Sequence, residues 1–321
     1  VTPGQLVMYA IGVLLIWLAV KKEYEPALLM PMGFGAILVN LPFSGVINQQ
    51  MEGIGTANGI IEWLFGVGIE ASEALPILLF IGIGAMIDFG PLLSQPIMFL
   101  FGAAAQFGIF FTLSMASLLG FDLTDAASIA IIGAADGPTS IVVAEHYGTK
   151  YMGAIVVAAY SYMALIPLIQ PPIMRLLTTK KEREVKMEQL RQVSKTEKIV
   201  FPIAVAIIVI LLIPDTAPLI GMLMLGNLVR VSGVTERLSK TAQNELCNIV
   251  TIFLGLSVGC KAIASTFLTW ETIKIIILGL IAFTFSTVGG LLFGKVMYKL
   301  TGGKVNPLIG SAGVSAVPMA A

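Results

Sequence analysis

Long apolar runs follow one another along this chain and limit its fold more than any other feature. A membrane-crossing helix takes about 20 apolar residues, and inside a bilayer only helices and closed barrels satisfy every backbone polar group. Only 12% of the 321 residues are charged, whereas soluble proteins carry about 25%. We therefore predict an all-α polytopic membrane protein. Its apolar runs cover about residues 6–20, 26–42, 76–90, 96–119, 126–146, 150–173, 199–213, 216–229, 248–260, 275–294 and 305–321.

Several of these runs contain Gly and Pro, which predicts broken or re-entrant helices. The candidates are residues 26–42, 126–146, 217–229 and the C-terminal run 305–321. Irregular backbone at membrane depth is tolerated only where protein or water satisfies it. Such breaks are therefore the first places to look for an ion or substrate site.

Composition argues against several classes of function. The formal net charge is zero, so the chain has no basic field for nucleic acid, and we expect no nucleic-acid partner. His146 is the only histidine, which argues against His-based metal clusters and catalytic triads. Cys247 and Cys260 lie in apolar surroundings without metal-ligand spacing and are predicted to be buried thiols. The absence of a Walker-type phosphate loop argues against direct coupling to ATP.

A basic segment at residues 175–198 divides the apolar chain. It carries eight Lys or Arg side chains against four Glu, and positively charged loops stay on the cytoplasmic side. We predict a first membrane repeat at residues 1–174, a cytoplasmic linker at 175–198 and a second membrane repeat at 199–321.

Short matches in the same order support two repeats. Residues 79–84 resemble 252–257, residues 132–135 resemble 309–312, and residues 34–39 resemble 225–230.

Charge predicts that the repeats are inverted. Lys21 and Lys22 follow the first helix, whereas its counterpart is followed by Asp215. Equivalent loops of opposite charge lie on opposite sides of the membrane, so the broken helices of the two repeats should meet near the midplane. Three lysines do not fit this scheme, which places them outside: Lys150, Lys261 and Lys274.

Asp136 is the acid with the strongest claim to a function. It lies beside Gly137 and Pro138 in an apolar run, with Thr139 and Ser140 next. A carboxylate in hydrocarbon is costly, and hydroxyls with freed carbonyls are the oxygen ligands that a hard cation such as Na⁺ prefers. The alternative is that Asp136 caps a helix or faces a water-filled loop.

The C-terminal run supplies a neutral counterpart to this acidic segment. Asn306, Ser311 and Ser315 offer amide and hydroxyl oxygens but no carboxylate. They are candidates to complete a site whose single charge is Asp136, although such residues also cap and bridge membrane helices. Tyr160 and Tyr162 follow the first break and are candidates for proton transfer, or for packing and interfacial anchoring.

These residues resemble a known family, the β subunits of the sodium-pumping biotin-dependent decarboxylases. Members of the family serve the oxaloacetate, methylmalonyl-CoA and glutaconyl-CoA decarboxylases. The resemblance covers essentially the whole chain. Its motifs lie at residues 133–139, 158–164, 170–172, 226–228, 236–244 and 306–310.

The resemblance implies an enzyme subunit of the translocase class. A separate carboxyltransferase moves CO₂ onto biotin, and the membrane subunit decarboxylates carboxybiotin, consumes a periplasmic proton and exports Na⁺. The implied ligands are Na⁺ and the carboxybiotin of a separate biotin-carrier subunit or domain. The implied partners are the carboxyltransferase or biotin-carrier subunit and a small membrane γ or δ subunit. The implied setting is a homotrimer among the lipids of a bacterial or archaeal cytoplasmic membrane.

The resemblance also assigns roles to residues. Asp136 is expected to bind Na⁺ and couple it to a proton, and Tyr162 to transfer that proton. Asn306, Gly310 and Ser315 are expected in the Na⁺ site, with Thr139 as a further candidate. The residues that bind carboxybiotin are not identified by the sequence.

One departure from the family concerns the C-terminus. In the family an arginine tied to carboxybiotin follows the segment that matches residues 317–321, and this chain ends at Ala321. It also starts without Met, so we expect both ends to be incomplete. Broken helices and an inverted repeat alone would fit equally well a stand-alone Na⁺-coupled secondary transporter for a small carboxylate.

Overall fold

The structure, a computed structural model, describes residues 1–51, 55–71, 73–187 and 191–313. Its α-helices are α1 Pro3–Lys22, α2 Pro26–Asn40, α3 Ile60–Phe65, α4 Ala74–Met86, α5 Gly90–Ser94, α6 Phe99–Ala105, α7 Phe107–Leu118, α8 Leu123–Ala130, α9 Gly137–His146, α10 Met152–Ala164, α11 Ile166–Leu177, α12 Lys180–Arg183, α13 Lys195–Leu212, α14 Ala217–Ser232, α15 Glu236–Thr241, α16 Cys247–Gly259, α17 Ala264–Phe267 and α18 Trp270–Leu300. Short 3₁₀ helices cover Pro96–Met98, Ile131–Ala134, Pro214–Thr216 and Pro307–Gly313, and π-helical turns cover Gly66–Glu70 and Ala242–Leu246.

A small hairpin interrupts this helical chain. Strands β1 Asn48–Met51 and β2 Gly55–Asn58 pair antiparallel, with Asn48 opposite Asn58. This hairpin is not foreseen by the sequence analysis, because its residues show no alternation of apolar and polar side chains.

Helix length and composition agree with a membrane protein. In the described parts of the chain, three helical stretches are long and apolar enough to cross a bilayer: Pro3–Lys22, Pro96–Leu118 and Trp270–Leu300. The number rises to five if each of two bent helix pairs is one span, including Met152–Met163 with Ile166–Leu177, which is bent by 63°. The predicted class, an all-α polytopic membrane protein, is confirmed.

Two of the four predicted breaks are absent. Residues 26–42 contain the continuous helix α2, and residues 217–229 lie within the continuous helix α14. Both helices have Pro in their first turn, where its missing N–H costs nothing, and α2 also continues through its internal Pro31. The run 126–146 is broken into α8, a 3₁₀ helix and α9, and the C-terminal run begins as the 3₁₀ helix Pro307–Gly313.

Internal contacts divide the chain into two compact units. The first unit contains Val1–Phe65, Phe99–Glu188 and Gly255–Ala321, and the second contains Gly66–Met98 and Gln189–Leu254. Each unit therefore draws segments from both sides of the basic linker. These units differ from the predicted sequence segments, which are residues 1–174, 175–198 and 199–321. The segments were predicted from repeats and charge, not from packing, and they stay a prediction.

Helix α18 is the central element of the first unit. It packs against α6, α7, α8, α10 and α11 and against both 3₁₀ helices of the unit. Its buried side chains include Ile275, Leu278, Ala282 and Phe283. Because lipid is as apolar as leucine, close van der Waals packing rather than burial from water holds such helices together.

Glycine brings α2 against α16 in the first unit. A Cβ atom at Gly35 would lie 2.6 Å from the main-chain oxygen of Leu256, and one at Gly255 would lie 3.1 Å from that of Leu28. The thiol of Cys260 also reaches the main-chain oxygen of Gly35 at 3.4 Å. Only glycine lets the two backbones approach this closely.

The second unit contains an equivalent crossing between α4 and α14. A Cβ atom at Gly84 would meet the main-chain oxygen of Leu223, and one at Gly226 would meet that of Ile81. The Asn227 side-chain amide reinforces the crossing by donating to the main-chain oxygens of Gly84 and Ile87, the latter at 2.8 Å.

Candidate cation site

The first break places Asp136 between two helical segments. The 3₁₀ helix Ile131–Ala134 ends at Ala135, whose φ of 53° is left-handed, and α9 begins at Gly137-Pro138. Asp136 itself is extended, with φ −131° and ψ 102°, and occupies the N-cap of α9. Pro138 favours a helix start at this point, and its missing N–H and its ring disfavour an uninterrupted helix through it.

Thr139 holds the carboxylate of Asp136 in one orientation. Its hydroxyl donates to Oδ2 at 2.6 Å, and its main-chain N–H donates to Oδ1 at 3.4 Å. The hydroxyl of Ser140 instead donates to the main-chain oxygen of Asp136 at 2.8 Å. Asp136 is thus a helix cap and, being only partly buried, remains open to a ligand. The two interpretations of this acid are compatible.

Tyr160 closes one side of this break. A Cβ atom at Gly137 would lie 2.5 Å from Cζ of Tyr160, so the ring packs directly on the glycine. Tyr160 is fully buried, and its hydroxyl has no hydrogen-bond partner within the described residues. A buried hydroxyl without a partner is costly, so this oxygen is available to a ligand beside Asp136.

Tyr162 points to a different element. Its hydroxyl donates to the main-chain oxygen of Ile276 in α18. Its ring fills the space over Gly279, where a Cβ atom would lie 2.6 Å from Cε2. The structure therefore attaches Tyr162 to α18, and its predicted role in proton transfer stays a prediction.

One stripe of α18 brings both broken segments together. Ser286 donates to the main-chain oxygen of Gly133 at 2.7 Å, and Gly290 lies against Gly310 so closely that a Cβ atom on either would meet the other's backbone. Ser286 and Gly290 are four residues apart on one helix face, about 6 Å along the axis. The segments that contain Asp136 and Gly310 are therefore neighbours on α18.

Asn306 has a different set of contacts. Its side-chain amide donates to the main-chain oxygens of Arg183 at 3.1 Å and Val185 at 3.0 Å, and its oxygen accepts from the N–H of Leu308 at 3.0 Å. It thereby joins the basic linker to the start of the 3₁₀ helix Pro307–Gly313. Its role as a Na⁺ ligand stays a prediction. Ser315 and the segment 317–321, after which the family arginine would follow, lie outside the described residues.

Sequence reasoning gave no site role to two polar residues near the site, although Gln170 lies in the motif 170–172. Ser286 holds the first broken segment, and Gln170 donates from Nε2 to the main-chain oxygen of Ser311 at 3.1 Å. Ser286 carried a usable signal, since a hydroxyl in the middle of a long apolar helix needs an explanation.

The donor set suits a hard monovalent cation. In the described parts of the chain, no three His, Cys, Asp or Glu side chains gather as a group that could hold a metal. Asp136 instead lies among hydroxyl and main-chain oxygens. A single negative charge with neutral oxygens matches Na⁺ better than a transition metal.

Fold and site together define an α-helical membrane protein with an acid at a helix break, a feature of ion-coupled translocation. The chain belongs to the family described as Na⁺-transporting oxaloacetate decarboxylase beta subunit, whose model matches residues 4–321. The resemblance on which the sequence analysis relied is thereby confirmed, and with it the assignment as a decarboxylase subunit of a Na⁺-transporting family.

Relatives with different substrates are similar to this chain. Methylmalonyl-CoA decarboxylase subunit beta of Veillonella parvula is 55% identical over 320 residues, covering 100% of this chain and 83% of its own length. Glutaconyl-CoA decarboxylase subunit beta of Acidaminococcus fermentans is 54% identical with the same coverage. The oxaloacetate decarboxylase beta chain of Klebsiella pneumoniae is 47% identical over 371 aligned positions, covering 99% of this chain and 86% of its own.

Proposed function

We propose that this chain decarboxylates carboxybiotin and couples that reaction to Na⁺ export with uptake of a proton. One observation carries the proposal. Asp136 lies at a helix break, where the Thr139 hydroxyl donates to its Oδ2 at 2.6 Å. Beside it lies the buried hydroxyl of Tyr160, which has no hydrogen-bond partner among the described residues. Family membership supports Na⁺ as the ion. Carboxybiotin supplies the driving force, since its N-carboxylate leaves as CO₂ and the ureido nitrogen takes up a proton.

In this proposal, residues of this chain bind the ion, orient the carboxylate and transfer the proton. Asp136 holds either Na⁺ or a proton, because the carboxylate in a site of low polarity needs one of them to balance its charge. Thr139 fixes the carboxylate, and Asn306, Gly310 and Ser315 supply the other predicted ligands. Proton transfer through Tyr162 requires its hydroxyl to leave the main-chain oxygen of Ile276.

In this proposal the chain is an inverted repeat, and its two halves move relative to the site in turn. Two equivalent glycine crossings support the repeat. Gly35 and Gly226 match in sequence, and Gly35 contacts α16 whereas Gly226 contacts the matching helix α4. Movement of one broken segment along α18 would expose Asp136 to the two sides in turn.

The proposed complex has several partners. The family acts through other decarboxylase subunits, and we propose a carboxyltransferase or biotin-carrier subunit and a small γ or δ subunit here. We further propose a homotrimer in the cytoplasmic membrane of a bacterium or archaeon. Detection of a biotinylated subunit in the purified complex by streptavidin blotting tests the partner directly.

Asp136→Asn tests the function. We expect it to abolish Na⁺-dependent decarboxylation of free carboxybiotin by the purified complex, because the amide removes the negative charge of Asp136, while the subunits still assemble. Asp122→Asn, at an exposed acid of the same unit, is the matched control and should keep full activity. Full activity of Asp136→Asn contradicts the proposal. Na⁺-driven uptake of a carboxylate by this chain alone in liposomes would instead favour the secondary transporter.

A further inference from the structure

The first broken segment contains a second acid, which the proposed function does not use. Asp125 lies in the first turn of α8 and is only 6% exposed. The hydroxyl of Thr149, which is also buried, donates to its Oδ1 at 2.6 Å. Within the described residues this hydroxyl is the only hydrogen-bond donor to the carboxylate. Because a carboxylate in an apolar bundle is costly unless it is paired, this one bond supports the charge.

Thr149 is itself fixed by the helices on either side of it. Its main-chain N–H donates to the main-chain oxygen of Ala144 in α9 at 3.1 Å. Its Oγ1 accepts from the N–H of Tyr151, directly before α10, at 3.3 Å. Gly148, with a left-handed φ of 60°, makes the turn between the two helices. The bond to Asp125 therefore joins the start of α8 to the α9–α10 turn.

This bond shows that the first broken segment is a helical hairpin. Asp125 begins the segment and Thr149 follows its end, yet their side chains touch, so the chain turns back between them. From Asp125 to Asp136 the chain rises about 17 Å, and α9 returns over about 15 Å. The two arms also pack on each other. Asp136 thus lies at the tip of the hairpin, and the Asp125–Thr149 bond lies at its base.

Helix α10 contacts this hairpin at both ends. Next to the base, the ring of Tyr151 meets that of Phe121 edge to face, with the ring centres 5.6 Å apart. At the tip, the ring of Tyr160 packs on Gly137. Because α10 runs from base to tip, a change at the base would alter how the tip meets Tyr160.

A local role does not account for the pairing of Asp125. The helix dipole favours an acid in the first turn of any helix, but that role requires neither burial nor a partner 24 residues away. Exposed Asp122 at the N-cap already supplies a negative charge to the start of α8. The bond to Thr149 has the further consequence that it keeps the two arms together.

We propose that Asp125 and Thr149 are positioning residues for the cation site. Their hydrogen bond holds the arms of the hairpin together, so that the hairpin and α10 move as one body and Asp136 keeps its place beside Tyr160. The effect on Na⁺ rests on the proposed function, whereas the joining of the arms does not.

Thr149→Val in the purified complex removes the hydroxyl and keeps the shape of the side chain. We expect the half-saturating Na⁺ concentration for decarboxylation to rise about fivefold, the lower end of coupling between separate sites, with the rate at saturating Na⁺ unchanged. Asp125→Leu breaks the same bond without leaving an unpaired charge and should give the same rise. The double variant should add nothing further.

Two controls separate this bond from a general loss of packing. Thr149→Ser keeps the hydroxyl and should restore the wild-type Na⁺ dependence. Ser128→Ala removes a buried hydroxyl of the same arm, whose bond to the main-chain oxygen of Thr124 stays within α8, and should leave the Na⁺ dependence unchanged.

Hydrogen exchange tests the joining of the arms without reference to Na⁺. We expect the amides at the start of α9 to exchange at least about threefold faster in Thr149→Val and Asp125→Leu than in the wild type and Ser128→Ala, because the hairpin opens more often. If one of the two variants does not assemble, the other decides.

The outcomes distinguish the two proposals. Unchanged exchange overturns the joining of the arms, and faster exchange with unchanged Na⁺ dependence overturns the positioning role. A wild-type complex whose decarboxylation does not depend on Na⁺ refutes the proposed function instead, and exchange alone then decides whether the bond holds the hairpin.

Discussion

At the residue scale, Thr139 makes two separate hydrogen bonds to the carboxylate of Asp136. Its main-chain N–H forms the cap of α9 by donating to Oδ1, whereas its hydroxyl donates to Oδ2; Ser140 contacts only the main-chain oxygen. The hydroxyl can therefore be removed while the donor of the cap bond is kept.

Thr139→Val removes the hydroxyl while keeping the shape of the side chain. We expect the half-saturating Na⁺ concentration to rise about tenfold, because a charged acceptor loses one hydrogen bond and the site loses one oxygen. Ser140→Ala is the matched control and should change it by less than about twofold. The measurement is decarboxylation rate against Na⁺ concentration; equal effects of both variants would refute a special role for Thr139.

Local chemistry made the helix break at Asp136 predictable, since Gly-Pro beside an acid in an apolar run predicts a break without knowledge of the neighbours in space. The contacts of Asn306 were not predictable in this way. Its partners Arg183 and Val185 lie more than 100 residues earlier in the chain, and an Asn before Pro has several equally good local uses. Tyr160 and Tyr162 are two residues apart, and their local sequence did not show that the first packs on Gly137 while the second bonds to Ile276 of α18.

At the element scale, contact between backbones defines how the broken segments sit on α18. Gly290 and Gly310 meet with no side chain between them. Main-chain atoms cannot yield as the end of a flexible side chain can, so this contact tolerates no added carbon.

Gly290→Ala should destabilise the protein by about 1–3 kcal/mol, the usual cost of overpacking. Gly102→Ala in α6 is the control, because nothing lies within 4 Å of a Cβ atom there, and alanine should stabilise that helix by up to about 1 kcal/mol. The melting temperature of the purified complex reports both effects. Equal shifts for the two variants would show that the contact does not matter.

We expect the stability of the first turn of α13 to depend on pH. Arg191 donates to Glu197 at 3.0 Å and the N–H of Ser194 donates to it at 2.8 Å, which lowers the pKa of Glu197 from 4.5 to about 2. Since the folded pKa is depressed, the stabilisation is complete above about pH 4.5 and disappears as the pH falls toward 2.

Arg191→Gln should move this loss to higher pH, because the hydrogen bond from Arg191 is the largest cause of the shift. Lys198→Gln, whose ion pair is with Asp88, should not. Hydrogen exchange of the amides in the first turn of α13, corrected for intrinsic rates, measures the midpoint. A midpoint shared by wild type and Arg191→Gln would refute the assignment.

At the scale of the whole molecule, the three lysines that conflict with the inverted scheme have local partners. Lys261 pairs with Glu62 at 3.0 Å and lies 3.9 Å from the Phe65 ring centre. Lys150 and Lys274 lie 5.1 and 5.9 Å from the rings of Tyr151 and Phe121. Charge counts along a sequence treat such cations as free. The pairings of Lys261 with Glu62 and of Lys274 with Phe121 join distant segments, and the sequence alone could not supply them.

Single-cysteine reporters test the inversion, since the native Cys247 and Cys260 are buried. Lys22→Cys lies at the last residue of α1, and Asp215→Cys follows its counterpart α13; both positions are exposed. We expect a membrane-impermeant maleimide to label the first from the cytoplasmic face only and the second from the outer face only. Labelling of both from the same face would refute an inverted repeat.

The paired glycine crossings bear on how such a chain can arise by gene duplication. Helix α2 of the first half packs on α16 of the second, and α14 of the second half packs on α4 of the first. A half-length ancestor would make neither contact within one molecule, but two copies inserted in opposite orientations would make both. If the repeats are inverted, as predicted, fusion of those copies through a linker keeps the interface only when the first copy crosses the bilayer an odd number of times. The inverted scheme thus requires an odd number of crossings in the first repeat.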